Sequence, residues 1–283
     1  MSSKIIVIGA GVIGAASALS LQADGHQVTL LDREAPCAGA SFGNAGAIVN
    51  GSCVPTAMPG IIFDVMRMAV QPLSPLSIRA EYFHKIFPWL LRFIWQSRSV
   101  AVSKNATHLR ALTKHAVDSW HQLVDDTALA PLVEEAGWLK VYEKEASFAD
   151  TAKARKLMDE AGTSYEVLGR REISDLEPNL APIFNFGFYQ KDCLRLVNPH
   201  KLVNSMVDLM VSRGGQFKQF DVERIQHEGK QVSLSGSAGT ITADKVIVAA
   251  GAWSRSLAEQ LGDSVPLDTE RGYHLMLPES TRD

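Results

Sequence analysis

Residues 4–32 read KIIVIGAGVIGAASALSLQADGHQVTLLD, and this stretch decides the fold. Lys4–Ile8 is a short apolar run of the length expected for a buried parallel strand. It breaks at Gly9-Ala10-Gly11-Val12-Ile13-Gly14, a G-x-G-x-x-G segment. A helical pattern with Ala18 and Leu21 follows, Gly25 closes it, and a second strand, Gln27–Leu31, ends on Asp32. Each piece has a physical job. Gly9 allows a tight turn, Gly11 lets a pyrophosphate approach the backbone, and Gly14 lets helix and strand pack closely. The helix N-terminus at Val12 and Ile13 offers free N–H groups and a positive dipole end to phosphates. Asp32, with Arg33 beside it, is placed to accept hydrogen bonds from a ribose hydroxyl pair.

A rival reading takes Lys4 and Ile5–Leu21 as the charged and apolar regions of a signal peptide. Three glycines at nucleotide-fold spacing, followed directly by a strand and an acid, favour dinucleotide binding instead.

The 283 residues suffice for a full core and two domains. A net charge of −3, with no basic tail or arginine-rich patch, points away from nucleic acid. Cys37, Cys53 and Cys193 are odd in number, far apart and free of C-x-x-C spacing. They fit a reducing compartment, argue against a zinc site or disulfide framework, and read as small buried hydrophobes. No metal site is expected, nor any membrane span, repeat or low-complexity tract.

After Asp32 comes a run of small residues, Ala38-Gly39-Ala40-Ser41-Phe42-Gly43-Asn44-Ala45-Gly46. On composition it is a flexible loop or a backbone path lying close against a ligand. Near the far end, Lys245–Ala249 is an apolar strand meeting Ala250-Gly251-Ala252-Trp253-Ser254. Gly251 is thus a second glycine at a strand's C-terminal end, where ligands bind in open α/β sheets.

With these segments together, the chain resembles the FAD-dependent D-amino-acid oxidase superfamily and, within it, the D-amino-acid dehydrogenase branch. The resemblance rests on Gly9, Gly11, Gly14, Ala18, Leu21, Gly25, Val28 and Asp32, on Ser41–Gly46 (SFGNAG), and on Val246–Ser254 (VIVAAGAWS). It implies that Ser41, Asn44, Ala45 and Gly46 contact flavin and pyrophosphate, that the backbone at Val222 clamps adenine, and that Ala250, Gly251 and, more weakly, Trp253 touch the cofactor. Some relatives carry a flavin-linking His in the SFGNAG segment; none stands here, so the implied FAD is non-covalent. The implied fold is a glutathione-reductase-like α/β FAD-binding Rossmann domain with a mixed-sheet α+β substrate domain. The boundaries expected are 1–60 and 195–260 for the FAD domain, 61–194 for the substrate domain, and 261–283 for the start of its return. The family runs well over a hundred residues further, so the resemblance implies a C-terminally truncated or split member.

The implied reaction is oxidation of the CH–NH bond of a D-amino acid or related amine. Hydride passes to flavin N5, and the imine formed is hydrolysed to a 2-oxo acid. No residue is assigned as catalytic. Arg271, Tyr273 and His274 lie in Glu270–Leu275, expected to be a strand near the substrate cavity, and are the substrate-side candidates. The electron acceptor is open among oxygen, a quinone and a carrier protein. The expected location is cytoplasmic, or peripheral on the inner face of the plasma membrane. Two alternatives stand beside this reading: a nicotinamide dehydrogenase with the same opening fold, and a non-catalytic flavin-binding fragment.

Between these segments, residues 60–130 read as helical. Phe83, Phe87, Leu90, Leu91, Ile94 and Trp95 recur at three- and four-residue steps, with His84, Lys85, Arg92 and Arg98 elsewhere. This pattern fits a helix packed within the protein, or one lying on a membrane surface. Leu109–Leu132, with Leu112, Ala116, Trp120, Leu123 and Val124, reads as core helix. Glu172 and Glu177 sit in a charged, proline-bounded setting that suggests a solvated helix and not catalysis.

Overall fold

In the computed structural model of the protein, residues 2–63, 65, 80–269 and 271–275 are described. They divide into two compact units: Met1–Ala47, Trp120–Glu134 and Arg195–Asp283 in the first, Ile48–Ser119 and Glu135–Leu194 in the second. This division differs from the sequence boundaries. Residues 48–60 fall in the second unit, while 120–134 and the described part of 261–283 fall in the first. Long-range bonds explain the reassignment: Leu132 O accepts from Val197 N at 3.0 Å, and Leu267 O from Arg255 Nη1 at 3.4 Å.

The first unit is built on a parallel sheet in the order Lys245–Val248, Lys4–Ile8 (β1), Gln27–Asp32 (β2), Gln216–Gln219. The registers Ile8↔Val248, Ile8↔Leu31 and Asp32↔Gln219 bring the C-terminal ends of all four strands to one edge. Both faces are covered, which is why β1 is apolar at consecutive positions. Ile6, Ile8 and Leu31 pack with Phe220, Ile225, Leu234, Ala243 and Leu257. Several of these belong to an antiparallel sheet of Arg224–Glu228, Gln231–Gly236 and Gly239–Ala243. Ile5 and Val7 point the other way, as alternation requires, toward the helix Val12–Ala23 (α1). That helix lies against Pro199–Ser212, whose Leu202, Val203, Met206 and Met210 are wholly buried. Gln22 ties the two together, donating from Nε2 to Met210 O at 3.0 Å and Arg213 O at 3.1 Å. Asn198 caps the longer helix, its Oδ1 accepting from Lys201 N at 2.9 Å, and Pro199 opens it. The expected α/β class with a parallel sheet is the architecture observed.

In the second unit an antiparallel sheet places Phe186–Gln190 between Trp138–Tyr142 and Glu166–Gly169. Phe188, Cys53 and Met158 form its core, with Tyr142, Phe148 and Tyr165 packed against them. Arg110 joins separate segments by donating from Nη1 to Asn50 O at 3.0 Å and from Nε to Ala161 O at 3.2 Å. Glu172 lies in the short helix Arg170–Leu176, and its Oε2 accepts from Gly169 N at 2.7 Å. It therefore caps that helix.

Two helical expectations need correction; residues 64 and 66–79 of the 60–130 reading lie outside the described residues. The helix Phe83–Gln96 buries none of its residues, against the expectation that it packs within the protein. Its half-buried edge is only Ile86, Leu90 and Phe93, because the apolar arc is wider than the contact it makes. Leu109–Leu132 is not one core helix. Ser99–Thr113 and Ala116–Val124 are separate, and Leu112 is 80% exposed.

Candidate functional site

The C-terminal edge of the parallel sheet borders a cleft of 1410 Å³ lying wholly within the first unit. Its floor is the glycine turn. Gly9 has φ +105, and a Cβ there would stand 2.4 Å from Ala249 O. Gly9 N donates to Leu31 O and Ala249 N to Ile8 O, each at 2.7 Å, so the turn is held by strands on both sides. Residue 14 has no room for a side chain: its Cβ would fall 1.7 Å from Gly9 O. Gly14 therefore serves helix–strand contact and does not line the cleft. At Gly11 the situation is open, with Ser41 Oγ alone within reach of an added Cβ, at 3.1 Å.

Residues after β2 fold back over this turn. Ser41 Oγ accepts from Val12 N at 3.0 Å, satisfying an amide that the helix start leaves free. Cys37 N donates to Ala10 O at 2.9 Å, and Cys37 takes a left-handed φ of 64. Its thiol is buried, and burial pushes its pKa above the ordinary value. All three cysteines are buried free thiols. The Asp32 carboxylate accepts twice from backbone, Oδ2 from Ala10 N at 2.7 Å and Oδ1 from Glu34 N at 3.0 Å. Each oxygen keeps a second acceptor position for a ligand hydroxyl.

The opposite wall comes from the chain's second half. Phe220 N donates to Asp32 O at 2.7 Å, carrying Phe220, Asp221 and Val222 to the cleft. After Lys245–Val248 the chain turns through Gly251, φ +55, into the short helical turn Gly251–Trp253. The Arg33 guanidinium lies over the Trp253 ring at 3.9 Å, a cation–π contact across the cleft's rim.

Of the residues singled out in the sequence, Gly9, Gly11, Val12, Ile13, Asp32, Arg33, Ser41, Val222, Ala250, Gly251, Trp253 and Arg271 line this one cleft. Asn44, Ala45 and Gly46 do not line it. Asn44 Oδ1 accepts from Gly46 N at 2.8 Å, and Gly46, φ +71, is pressed against Leu196, whose O would meet an added Cβ at 2.9 Å. They shape the loop that delivers Ser41. Residues 271–275 form no strand, against expectation, and Tyr273 is 88% exposed. His274 sits beside Gly43 and Phe42 and does not reach the cleft.

Ala38–Ala40, read with Ser41–Gly46 as a possible path along a ligand, do line the cleft, whereas the sequence reading missed Glu34, Cys37, Gln260 and Leu267–Thr269. Gln260 was invisible, since its role is to bridge, accepting from Ile225 N and donating to Glu223 O at 3.0 Å each. The cleft has the length for an extended ligand: it runs from Asp32 past a glycine cradle that a Cβ at residue 11 would begin to fill.

The sequence profile of the family described as "FAD dependent oxidoreductase" (DAO) matches residues 4–283. A D-amino-acid oxidase of Bradyrhizobium diazoefficiens is 33% identical over 277 residues, covering 96% of this chain and 66% of that protein. A D-amino acid dehydrogenase of Vibrio vulnificus is 29% identical over 281 residues, covering 97% and 67%. The chain therefore spans about two-thirds of the length of these curated relatives, 66% of the first. Among solved structures, glycine oxidase from Geobacillus kaustophilus superposes with a TM-score of 0.60 at 19% identity, covering 92% of this chain and 58% of that one. L-amino acid deaminase from Proteus vulgaris gives 0.60 at 15%, covering 94% and 51%. At such identities the likeness is one of fold.

Proposed function

The chain belongs to the FAD dependent oxidoreductase family, and from that premise we propose that it takes part in oxidising the CH–NH bond of a D-amino acid or related amine. The single observation carrying the proposal is the convergence of Gly9–Ile13, Asp32–Ser41, Val222 and Ala250–Trp253 on one cleft. Asp32 would hold the ribose, the Val12 helix end and Gly11 the pyrophosphate, the Val222 backbone the adenine, and Ala250–Gly251 the far side of FAD. FAD, when bound, supplies the acceptor for hydride from the substrate carbon, leaving an imine that water converts to a 2-oxo acid. Arg271, a cation lining the cleft, would favour an anionic group of cofactor or substrate. Tyr273 and His274 stay outside that lining.

FAD is proposed to bind without a covalent link, since the Ser41–Gly46 segment contains no histidine. Among the described residues no helix is long and apolar enough to cross a membrane. A cytoplasmic location, or a peripheral one on the inner face of the plasma membrane, is part of the proposal, with oxygen, a quinone or a carrier protein as electron acceptor.

Acid precipitation of the purified protein should release a yellow chromophore into the supernatant, and a flavin-loaded sample should reduce a dye with D-amino acids. A colourless protein that binds nicotinamide dinucleotide would overturn the cofactor. Flavin retention without amine turnover by any supplied D-amino acid would leave a binding fragment and overturn the reaction.

A further inference from the structure

Beyond the short helix Ser254–Glu259 the chain runs along the cleft without regular structure. Asp263–Thr269 and Arg271–Leu275 contain neither helix nor strand, yet Leu267, Asp268, Thr269, Arg271 and Gly272 line the cleft. At one end Arg255 Nη1 donates to Leu267 O at 3.4 Å. From residue 268 onward, no hydrogen bond among the described residues joins this segment to the rest of the chain, and Thr269 N donates only to its neighbour Asp268. A segment so lightly held lifts at low cost.

His274 fixes the far end. Its imidazole lies over Gly43: a Cβ at residue 43 would collide with Cε1 and Nδ1 of the ring and stand 3.0 Å from Nε2. Only glycine leaves that seat open. Phe42 flanks the same ring, centroids 6.4 Å apart, and meets the His200 ring edge-on at 5.2 Å. Tyr273 and Leu275, on either side of His274 in the chain, are 88% and 84% exposed, so His274 is the side chain that docks. Its seat belongs to the loop that carries Ser41, whose Oγ accepts from Val12 N at the glycine turn. The segment's two anchors, Arg255 and Gly43, thus follow residues of opposite cleft walls, Trp253 and Ser41.

We propose that Leu267–Thr269 and Arg271–Leu275 act as a strap over the cofactor cleft, and that His274, seated on Gly43, is the latch that keeps it shut. An elongated cofactor enters and leaves when the strap lifts, and the closed strap holds Arg271 at the cleft. His274 itself stays outside the cleft lining, so it is a positioning residue that acts through the segment it fastens. What the strap encloses rests on the FAD reading proposed above; the latch does not.

Stopped-flow flavin fluorescence on the full 283-residue protein gives the association and release rates of FAD. His274→Ala and Gly43→Val should each raise both rates about two- to tenfold, the factor that one aromatic contact carries. Loss of a direct cofactor contact would speed release alone. His274→Phe, which keeps a ring on the seat, should restore the wild-type rates. Trypsin reads the strap without cofactor, because Arg271 is the single Lys or Arg between residues 256 and 281, and Gly43→Val leaves the sequence around it unchanged. Cleavage after Arg271 should be several-fold faster in flavin-free Gly43→Val than in the flavin-free wild type, and FAD should slow it in the wild type. Equal cleavage of the two flavin-free proteins, wild-type cleavage that bound FAD does not slow, or variants in which release alone accelerates would overturn the proposal. Faster cleavage of Gly43→Val in a protein that binds no FAD would uphold the latch and overturn the FAD reading.

Discussion

Asp32 Oδ2 accepts the backbone N–H of Ala10 at 2.7 Å, so the carboxylate that ends β2 is bonded to the glycine turn that ends β1. Ala10 is wholly buried, and the Asp32 carboxylate is the acceptor its N–H finds. The acid expected to hold a ribose is therefore also a fastening of the site itself. Asp32→Ala should lower the stability of the flavin-free protein by about 1–3 kcal/mol, the cost of an orphaned buried donor. It should also weaken FAD binding about ten- to a hundred-fold or more. Denaturant unfolding of the apoprotein and flavin titration measure the two effects separately. Unchanged apoprotein stability would show that the Ala10 bond contributes nothing.

The three glycines of the turn should respond differently to substitution. Gly14→Ala sets a Cβ 1.7 Å from Gly9 O, a backbone collision that should cost about 1–3 kcal/mol or more and reduce soluble yield. At Gly11 an added Cβ meets only the Ser41 hydroxyl, at 3.1 Å, so Gly11→Val should fold and yet hold no flavin. Soluble yield, melting temperature and absorbance at flavin wavelengths separate these outcomes. A flavin-saturated Gly11→Val protein would mean that the pyrophosphate lies elsewhere.

Arg33 and Trp253 come from opposite ends of the chain and stack at 3.9 Å. A double-mutant cycle with Arg33→Ala and Trp253→Ala should give a coupling of about 0.5–1 kcal/mol, the range for partly exposed cation–π pairs. Additive effects on unfolding free energy would show that the stack is geometric only.

Cys37 and Cys193 each have a thiol whose pKa burial pushes up. As pH rises through the ordinary thiol value of 9.0, the unfolded chain loses these protons before the native one does. Their contribution to stability is thus complete below that value and declines as pH climbs toward the raised native pKa. Iodoacetamide, which needs thiolate, should label both residues slowly in the native protein and rapidly after denaturation. Fast labelling of native Cys37 at neutral pH would contradict its burial in the cleft lining.

Much of the cofactor side was legible because its requirements are local. A turn with φ of +105 at Gly9 and a strand end at Asp32 are written in residue type and spacing over thirty residues. The expected strand at 271–275 failed: its composition resembles a strand, but pairing needs a neighbouring edge, which no local pattern supplies.

By itself, the sequence determined the parallel β-α-β opening, the dinucleotide character of its turn, and the apolar periodicity of Phe83–Gln96, since each depends on neighbours a few residues apart. Only the tertiary structure decided that Asn44–Gly46 brace a loop while Ser41 reaches Val12, that Asp32 is tied to Ala10, and that the Phe83 stripe stays uncovered. These outcomes rest on contacts between distant segments. Periodicity states that a face is apolar, whereas burial depends on which surfaces the folded chain brings against it.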